Sequence, residues 1–317
     1  MIVKKNFLLL VICIITLLCA GCNKNIGSNA DATKNITFKG ETYTVPSNPE
    51  KIITLSNSLL SMLDAVDGKA IARVETNDPL PDKLAALPTV GHTSTPSVEA
   101  IIGMHPDLIL GLANQHDKLK DQLTSNHLPY ILINYDGIND NIPLITLLGQ
   151  LTNHTDKANA VIEKYTKQVD AVKEAVKHVT PAKVAILRAT GKSVTAETNL
   201  AITGSMIEEL GMQNVVMNHY TDNGKHSKTI PYSLETLAAD NPDIIFVVTM
   251  GKEADITATM QKEMTNNPAW NELSAVKQQK VFYLPSKLFL LNPGLDTPSA
   301  MATLVQDAYG ITIPSEK

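Results

Sequence analysis

One short pattern occurs twice in the chain at a constant offset of 136 positions, and it constrains the fold more than any other feature of the sequence. The first copy, Ser97-Val98-Glu99 followed by Pro106-Asp107-Leu108-Ile109, matches Ser233-Leu234-Glu235 followed by Pro242-Asp243-Ile244-Ile245. Each copy predicts a helix, a proline-containing turn and a buried strand. A repeat at such long spacing indicates two duplicated lobes related by pseudo-twofold symmetry rather than a solenoid.

Short apolar runs alternate with helix-length segments in both halves of the chain. Runs of this kind predict βα units with buried parallel strands. The predicted strands are Ile52–Leu55, Ala70–Val74, Leu108–Leu112 and Tyr130–Ile133 in the first half, and Lys183–Leu187, Ile244–Thr249 and Val281–Leu284 in the second.

A long helical stretch separates the two sets of strands. From Thr155 to Val179, apolar residues recur at steps of three and four with Lys, Glu and Asp between them, which is the pattern of an amphipathic helix. Such a helix is about 37 Å long, and Pro181 is expected to end it. The sequence therefore predicts an α/β fold of two lobes with parallel-sheet cores, residues 35–153 and 181–317, joined by one backbone helix within residues 154–180.

The amino terminus has the pattern of an export signal. Two lysines precede an apolar run from Phe7 to Leu18, which is too short to span a membrane but suits a signal-peptide core. Ala20-Gly21-Cys22 then resembles a lipobox, so residues 1–21 are predicted to be a signal peptide and Cys22 to be acylated. Residues 22–34 are predicted to be a flexible, lipidated tether. An ordinary cleaved signal peptide is the alternative.

Composition excludes several classes of function. Hydrophobic residues make up 44% of the 317 residues and charged residues 19%, so the chain is globular rather than disordered. The net charge of −5, without a cluster of basic residues, argues against nucleic-acid binding. No cysteine follows Cys22, and the eight histidines lack metalloenzyme spacing. Since no phosphate loop or serine-nucleophile motif is intact either, we expect a protein that is not an enzyme.

Several segments resemble those of the substrate-binding proteins of ABC importers for iron complexes, haem and cobalamin. The segments are Pro46–Leu55, Val90–Leu110, Pro231–Val248, Pro268–Leu284 and Asn292-Pro293-Gly294. The resemblance implies the class III periplasmic-binding-protein fold, in which a cleft between the lobes changes little on binding. It also implies a monomer at the extracytoplasmic face of the cell membrane, lipid-anchored, that passes an iron complex to a permease homodimer powered by a cytoplasmic ATPase.

The repeated glutamates are the candidate docking residues. Within the resembled family, one glutamate per lobe docks into arginines of the permease dimer, and those positions match Glu99 and Glu235. A pair of carboxylates related by pseudo-symmetry suits a twofold partner. The competing interpretation is that both glutamates only favour the N-terminal turns of their helices.

The candidate ligand-binding residues are those that follow the predicted strands, since ligands of such sheets bind beyond the carboxyl ends of the strands. The two arginines of the chain fall at strand ends, one per lobe, where guanidinium groups suit carboxylates; surface arginines are the alternative. The candidates are Asn57, Arg73, His92, Ser94, Arg188, Tyr232, Met250, Phe289 and Asn292.

Two of these candidates could hold haem iron. His92 follows Gly91 where haem-binding members of the resembled family place an axial ligand, whereas Ser94 stands where others have methionine. On the other lobe, Met250 precedes a glycine as the axial histidine of those receptors does. The resemblance thus suggests a His92/Met250 axial pair, with Tyr232 as the rival ligand. A hydrogen-bonding histidine and a packing methionine are the alternatives.

The cargo is weighed from composition. One tryptophan and 4% aromatic residues argue against cobalamin, and two arginines argue against a strongly anionic catecholate siderophore. Haem is therefore the preferred transported ligand, with a ferric siderophore or cobalamin as alternatives, and no cofactor of the protein's own is expected. A haem scavenger or sensor that works without a permease also remains open.

Overall fold

The computed structural model describes residues 32–76 and 78–314. The predicted signal peptide, Cys22 and most of the predicted tether lie outside the described residues. From Lys34 onward the described residues form one compact unit. Within the described ranges, no helix combines the length and the apolar character that crossing a membrane requires.

The chain alternates between strands and helices throughout. The strands are β1 (Thr33–Phe38), β2 (Glu41–Pro46), β3 (Ile52–Thr54), β4 (Ala70–Glu75), β5 (Thr89–His92), β6 (Thr95–Pro96), β7 (Leu108–Leu112), β8 (Tyr130–Ile133), β9 (Lys183–Thr190), β10 (Val194–Glu197), β11 (Gln213–Asn214), β12 (Thr229–Ile230), β13 (Ile244–Met250) and β14 (Val281–Leu284). The helices are α1 (Asn57–Ala65), α2 (Asp82–Ala85), α3 (Val98–Gly103), α4 (Ala113–His116), α5 (Lys120–Ser125), α6 (Asn141–Thr152), α7 (Thr155–Val176), α8 (Ile202–Glu209), α9 (Leu234–Asp240), α10 (Glu253–Met260), α11 (Pro268–Glu272), α12 (Ser274–Lys277), α13 (Ser286–Phe289) and α14 (Thr297–Tyr309).

Two sheets lie on either side of α7 in the sequence. The first has the order β6-β5-β4-β3-β7-β8 and the second the order β12-β10-β9-β13-β14, with β11 also paired to β9. The central pairings of both sheets are parallel, and antiparallel strands occur only toward one edge of each. The predicted fold class, two α/β lobes joined by one backbone helix, is therefore confirmed.

The ends of two predicted elements differ from the structure for identifiable reasons. Strand β9 continues to Thr190 because β10 pairs antiparallel with its far end, placing Thr195 opposite Arg188. Helix α7 ends at Val176, three residues before the predicted end, and the chain then turns before Pro181. Arg188 consequently lies inside a strand, whereas the sequence had predicted it just beyond a strand end.

The two copies of the repeat begin their helices in the same way. The Ser97 hydroxyl accepts a hydrogen bond from the Ala100 N–H at 3.2 Å, and the Ser233 hydroxyl accepts one from the Thr236 N–H at 3.1 Å. Each serine satisfies a backbone donor that the first turn of a helix leaves unpaired. This shared requirement explains why serine occupies both positions.

The repeated aspartates also do the same work in both lobes. Asp107 and Asp243 each precede a central strand, and each accepts the backbone N–H of a lysine at the start of the neighbouring strand, Lys51 and Lys183 respectively, at 2.9 Å. Each aspartate N–H also donates to the carbonyl of the same lysine. The Pro-Asp pair therefore aligns two parallel strands at their amino ends in each lobe.

The hydrophobic core does not separate the lobes. Its largest cluster of buried side chains includes Leu59 and Leu148 from the first lobe, Val172 from α7, and Ile186 and Phe246 from the second lobe. The predicted limits of the lobes, 35–153 and 181–317, stay a prediction, because the packing gives no boundary between them.

Candidate functional site

A cavity of about 350 Å³ lies at the carboxyl ends of the strands of the first sheet. One wall comes from the segments that follow three of its strands, Ser56–Ser58 after β3, Asp78–Pro81 after β4 and Thr93 after β5, together with Gln115. The opposite wall comes from the second lobe, mainly from 291–293 between α13 and α14. The cavity therefore occupies the position where the topology of such sheets places a ligand.

Two buried amide atoms at this cavity have no hydrogen-bond partner. They are the Oδ1 atom of Asn57 and the Nδ2 atom of Asn292, and both residues line the cavity. Asn292 is only 7% exposed. A buried polar group without a partner costs about 1–3 kcal/mol, so each of these two atoms would gain from a hydrogen-bond partner that reached it.

A tight turn holds Asn292 in place. Its Oδ1 atom accepts the Gly294 N–H at 2.7 Å, and Gly294 has a φ of +57°. A side chain at this glycine would also come within 3.2 Å of the Ser58 Cβ atom in α1. Glycine is thus required where the turn of the second lobe meets the first helix of the first lobe.

The lining combines polar with apolar side chains. The hydroxyls of Ser56 and Ser58 lie 2.9 Å apart, next to Asn57. Three charged side chains also line the cavity, Asp78, Asp296 and Lys287. Sequence analysis had named Asn57 and Asn292 among the candidates but had missed these charged residues, although Asp78 and Lys287 follow predicted strands closely.

Arg73 does not line the cavity. Its guanidinium donates three hydrogen bonds to backbone carbonyls, those of Val74, Leu84 and Ala85, at 2.9–3.0 Å. These bonds fasten α2 to β4. The arginine therefore supports the wall of the first lobe, and its donors are not directed at a ligand.

Arg188 has a partner within the protein. Its Nε and Nη2 atoms lie 2.8 and 2.7 Å from Oε1 of Glu197 on the neighbouring strand β10. Glu197 is fully buried, and this burial raises the pKa of its carboxyl to about 7, against the opposing pull of Arg188. The carboxylate that Arg188 recognises here is thus the protein's own, and Glu197 was missed because its partner could not be known from the sequence.

His92 and Met250 lie at strand ends as expected but do not line the cavity. His92 ends β5 with its side chain 72% exposed, and its Nδ1 atom is 3.0 Å from Oε2 of Glu75. Met250 ends β13 and is 51% exposed. Ser94 is exposed, and its carbonyl accepts a hydrogen bond from Lys118. The proposed axial pair stays a prediction.

Tyr232 is buried and paired. Its hydroxyl donates to the Asp240 carboxylate, and Nε2 of His219 lies 2.8 Å from the same oxygen. Burial, and then the neighbouring Asp240, raise the pKa of the Tyr232 phenol well above its ordinary value. A tyrosine must lose its proton to ligate iron, so this environment opposes the role of rival ligand.

Phe289 faces the core. It is fully buried within the largest hydrophobic cluster, and its carbonyl accepts a hydrogen bond from the Thr203 hydroxyl at 2.7 Å. Of the predicted ligand-binding residues, the structure thus brings together Asn57 and Asn292 at the cavity. Among the residues described, no group of three His, Cys, Asp or Glu side chains is placed to hold a metal ion.

Glu99 and Glu235 occupy equivalent exposed positions. Each lies in the first turn of its helix, two residues after the capping serine, α3 for Glu99 and α9 for Glu235. Hydrogen bonds from its own backbone N–H and from the Ser233 hydroxyl lower the pKa of the Glu235 carboxyl. Both side chains are accessible to a partner.

Two lobes bridged by one helix, with a cavity between them at the strand ends, are the arrangement of a substrate-binding protein of the ABC-importer class. The chain belongs to the periplasmic binding protein family, whose model matches residues 52–288. The members of this class that it resembles are binding proteins, so the chain is a binding protein and not an enzyme.

Known proteins match nearly the whole chain. It is 24% identical over 324 residues to the protein named "Putative ABC transporter substrate-binding lipoprotein YhfQ" of Bacillus subtilis, covering 96% of this chain and 97% of that one. It is 31% identical over 301 residues to the ferric enterobactin-binding periplasmic protein FepB of Escherichia coli, covering 87% and 90%. The crystal structure of Staphylococcus aureus IsdE complexed with heme shares the fold, with a TM-score of 0.70, 23% identity, and 82% and 98% of the two chains covered.

Proposed function

We propose that this protein is the lipid-anchored, extracytoplasmic receptor of an ABC importer, and that it captures an iron complex in the cavity between its lobes. It then delivers the complex, as a monomer, to a permease dimer in the membrane. The relatives support this proposal, since FepB is named for ferric enterobactin and IsdE was crystallised with haem. The lipobox-like Ala20-Gly21-Cys22 and the name of YhfQ support the anchor.

The observation that carries the proposal is the pair of unsatisfied amide atoms at the cavity. The free Oδ1 of Asn57 is an acceptor on the first lobe, and the free Nδ2 of Asn292 is a donor on the second. A ligand that bonded both would bridge the lobes. We favour a ferric siderophore over haem as the iron complex, because the predicted axial ligands of haem, His92 and Met250, do not line this cavity.

Replacement of Asn292 is expected to weaken binding of the iron complex roughly three- to tenfold, the worth of one hydrogen bond. Asn292→Asp keeps the acceptor that holds the Gly294 N–H, removes the unpaired Nδ2 donor and also adds a negative charge. Titration calorimetry with ferric siderophores and ferric haem would measure the change.

The matched control is Asn126→Asp, an exposed residue at the end of α5. It should bind as the unaltered protein does. If Asn292→Asp binds every iron complex as tightly as the unaltered protein, the cavity is not the binding site. If the protein binds an iron complex but uptake of that complex does not depend on a permease, the result would support the alternative function, a scavenger or sensor that works without a permease.

A further inference from the structure

We infer that the cargo of this cavity is a ferric complex without net negative charge, of the kind formed by three hydroxamate groups. This inference rests on the proposed function, because it names the class of iron complex that the same cavity admits. It follows from the charges that line the cavity, from the geometry of its free amide atoms, and from where the arginines of the chain point.

The charges at the cavity are predominantly acidic. Two carboxylates, those of Asp78 and Asp296, line it against one ammonium group, that of Lys287. Asp78 follows strand β4 of the first lobe, whereas Lys287 and Asp296 lie on either side of the turn around Asn292 in the second lobe. An acidic group therefore lies on each wall of the cavity. The excess negative charge among these three side chains therefore lies on the first-lobe wall, at Asp78, because Asp296 and Lys287 offset each other on the second.

Both arginines of the chain are engaged elsewhere, which leaves Lys287 among the lining residues to meet an anionic ligand. The Arg73 guanidinium is bonded to three backbone carbonyls, and Arg188 is bonded to the buried Glu197. Nucleotide-like or siderophore anions are usually held by arginines that present a free planar edge. Neither arginine lines this cavity.

Trihydroxamate complexes, tricatecholate complexes and haem differ in net charge. Three hydroxamates neutralise ferric iron, so such a complex is uncharged, or cationic where the ligand also carries an amine. Three catecholates leave a strongly negative complex, and haem carries two propionates. Placing either of these anions beside Asp78 and Asp296 would set like charges together in a partly enclosed space, which disfavours binding.

The neutral groups at the cavity suit the same ligand. The unpaired acceptor on Asn57 and the unpaired donor on Asn292 are both buried, and once a rotation of the side chains exposed them they would complement the N–H and C=O of an amide-like group. The hydroxyls of Ser56 and Ser58 can donate or accept beside them. Trihydroxamate ligands present such groups around the iron without adding charge.

Titration calorimetry of the protein with four probes tests the inference. The probes are ferrichrome, which is a neutral trihydroxamate, ferrioxamine B, which is a cationic one, ferric enterobactin and ferric haem. We expect both hydroxamate complexes to bind at least roughly tenfold more tightly than either anion. Salt should weaken the cationic complex more than the neutral one, because screening acts on charge.

Charge variants locate the effect. Asp78→Asn combined with Asp296→Asn should weaken ferrioxamine B roughly three- to tenfold and leave ferrichrome within about twofold, whereas Lys287→Gln should strengthen ferrioxamine B. The control is Asp121→Asn, an exposed residue of α5 that does not line the cavity. Equal effects on the neutral and cationic complexes would overturn the assignment of the charges.

The outcomes separate the two claims. Enterobactin or haem binding as tightly as the hydroxamate complexes, or more tightly, would overturn the inference about charge and leave the receptor function standing. Failure of all four complexes to bind would overturn both, since the cavity would then hold none of the common iron complexes.

Discussion

Reversing the charge of both Glu99 and Glu235 is expected to reduce uptake of the iron complex by cells to background while its binding to the purified protein stays unchanged. Both carboxylates are exposed in the first turn of their helices and occupy the same place in the two lobes. A twofold permease would need one such charge from each lobe, and removing a single one should lower uptake roughly tenfold.

The control for this prediction is Glu163→Lys, a reversal at an exposed position of α7. A second pair, Glu99→Gln with Glu235→Gln, separates loss of attraction from new repulsion. Uptake of radioactive iron complex would be measured beside calorimetric binding. Should the double reversal transport normally, the glutamates only cap their helices; should it lose binding as well, it has disturbed the fold.

The stability that Glu197 contributes to the folded protein is expected to fall as the pH rises from about 5 to 8, and Glu197→Gln to remove that part of the pH dependence. Burial raises the pKa of Glu197 from 4.5 to about 7 in the folded state. Between these values the folded protein holds a proton that the unfolded chain has released. The stabilisation is therefore complete below the unfolded pKa and is lost as the pH passes through 7, with a total of about 3 kcal/mol.

Thermal unfolding over this pH series would measure the effect, which corresponds to roughly 5–10 °C in the midpoint. Glu253→Gln, an exposed acidic residue in the first turn of α10, is the matched control and should keep the pH dependence of the unaltered protein. If Glu197→Gln keeps it too, Glu197 is ionised throughout and its pair with Arg188 holds it so.

The fold could be predicted from the sequence because its signals are local. Buried parallel strands give short apolar runs, and α7 gives a long periodicity of three and four residues, so the seven predicted strands and the long helix all occur in the predicted order. Seven further, mostly short or edge strands of the described residues were not predicted. Errors arose where a distant segment decides the end of an element. Strand β9 is longer than its apolar run because β10 returns to pair with it.

The position of the cavity could be predicted from the sequence, but the orientation of the side chains around it could not. Strand ends indicated where the cavity would lie, and Asn57 and Asn292 line it. Whether a side chain at a strand end turns toward the cavity depends on competing partners that the sequence does not show. The Phe289 side chain packs into the core instead, and the Arg73 guanidinium binds nearby backbone carbonyls.

The hydrophobic core that both lobes share limits how a membrane partner could distinguish the ligand-bound protein from the ligand-free one. Swinging the lobes apart would open the single cluster to which Leu59, Leu148, Ile186 and Phe246 all belong, at about 1.5–3 kcal/mol for each side chain exposed. Because opening the lobes costs this much, the bound and unbound proteins are expected to have nearly the same conformation. A membrane partner would then have to sense occupancy at the lip of the cavity, by touching the turn around Asn292 or the cargo itself.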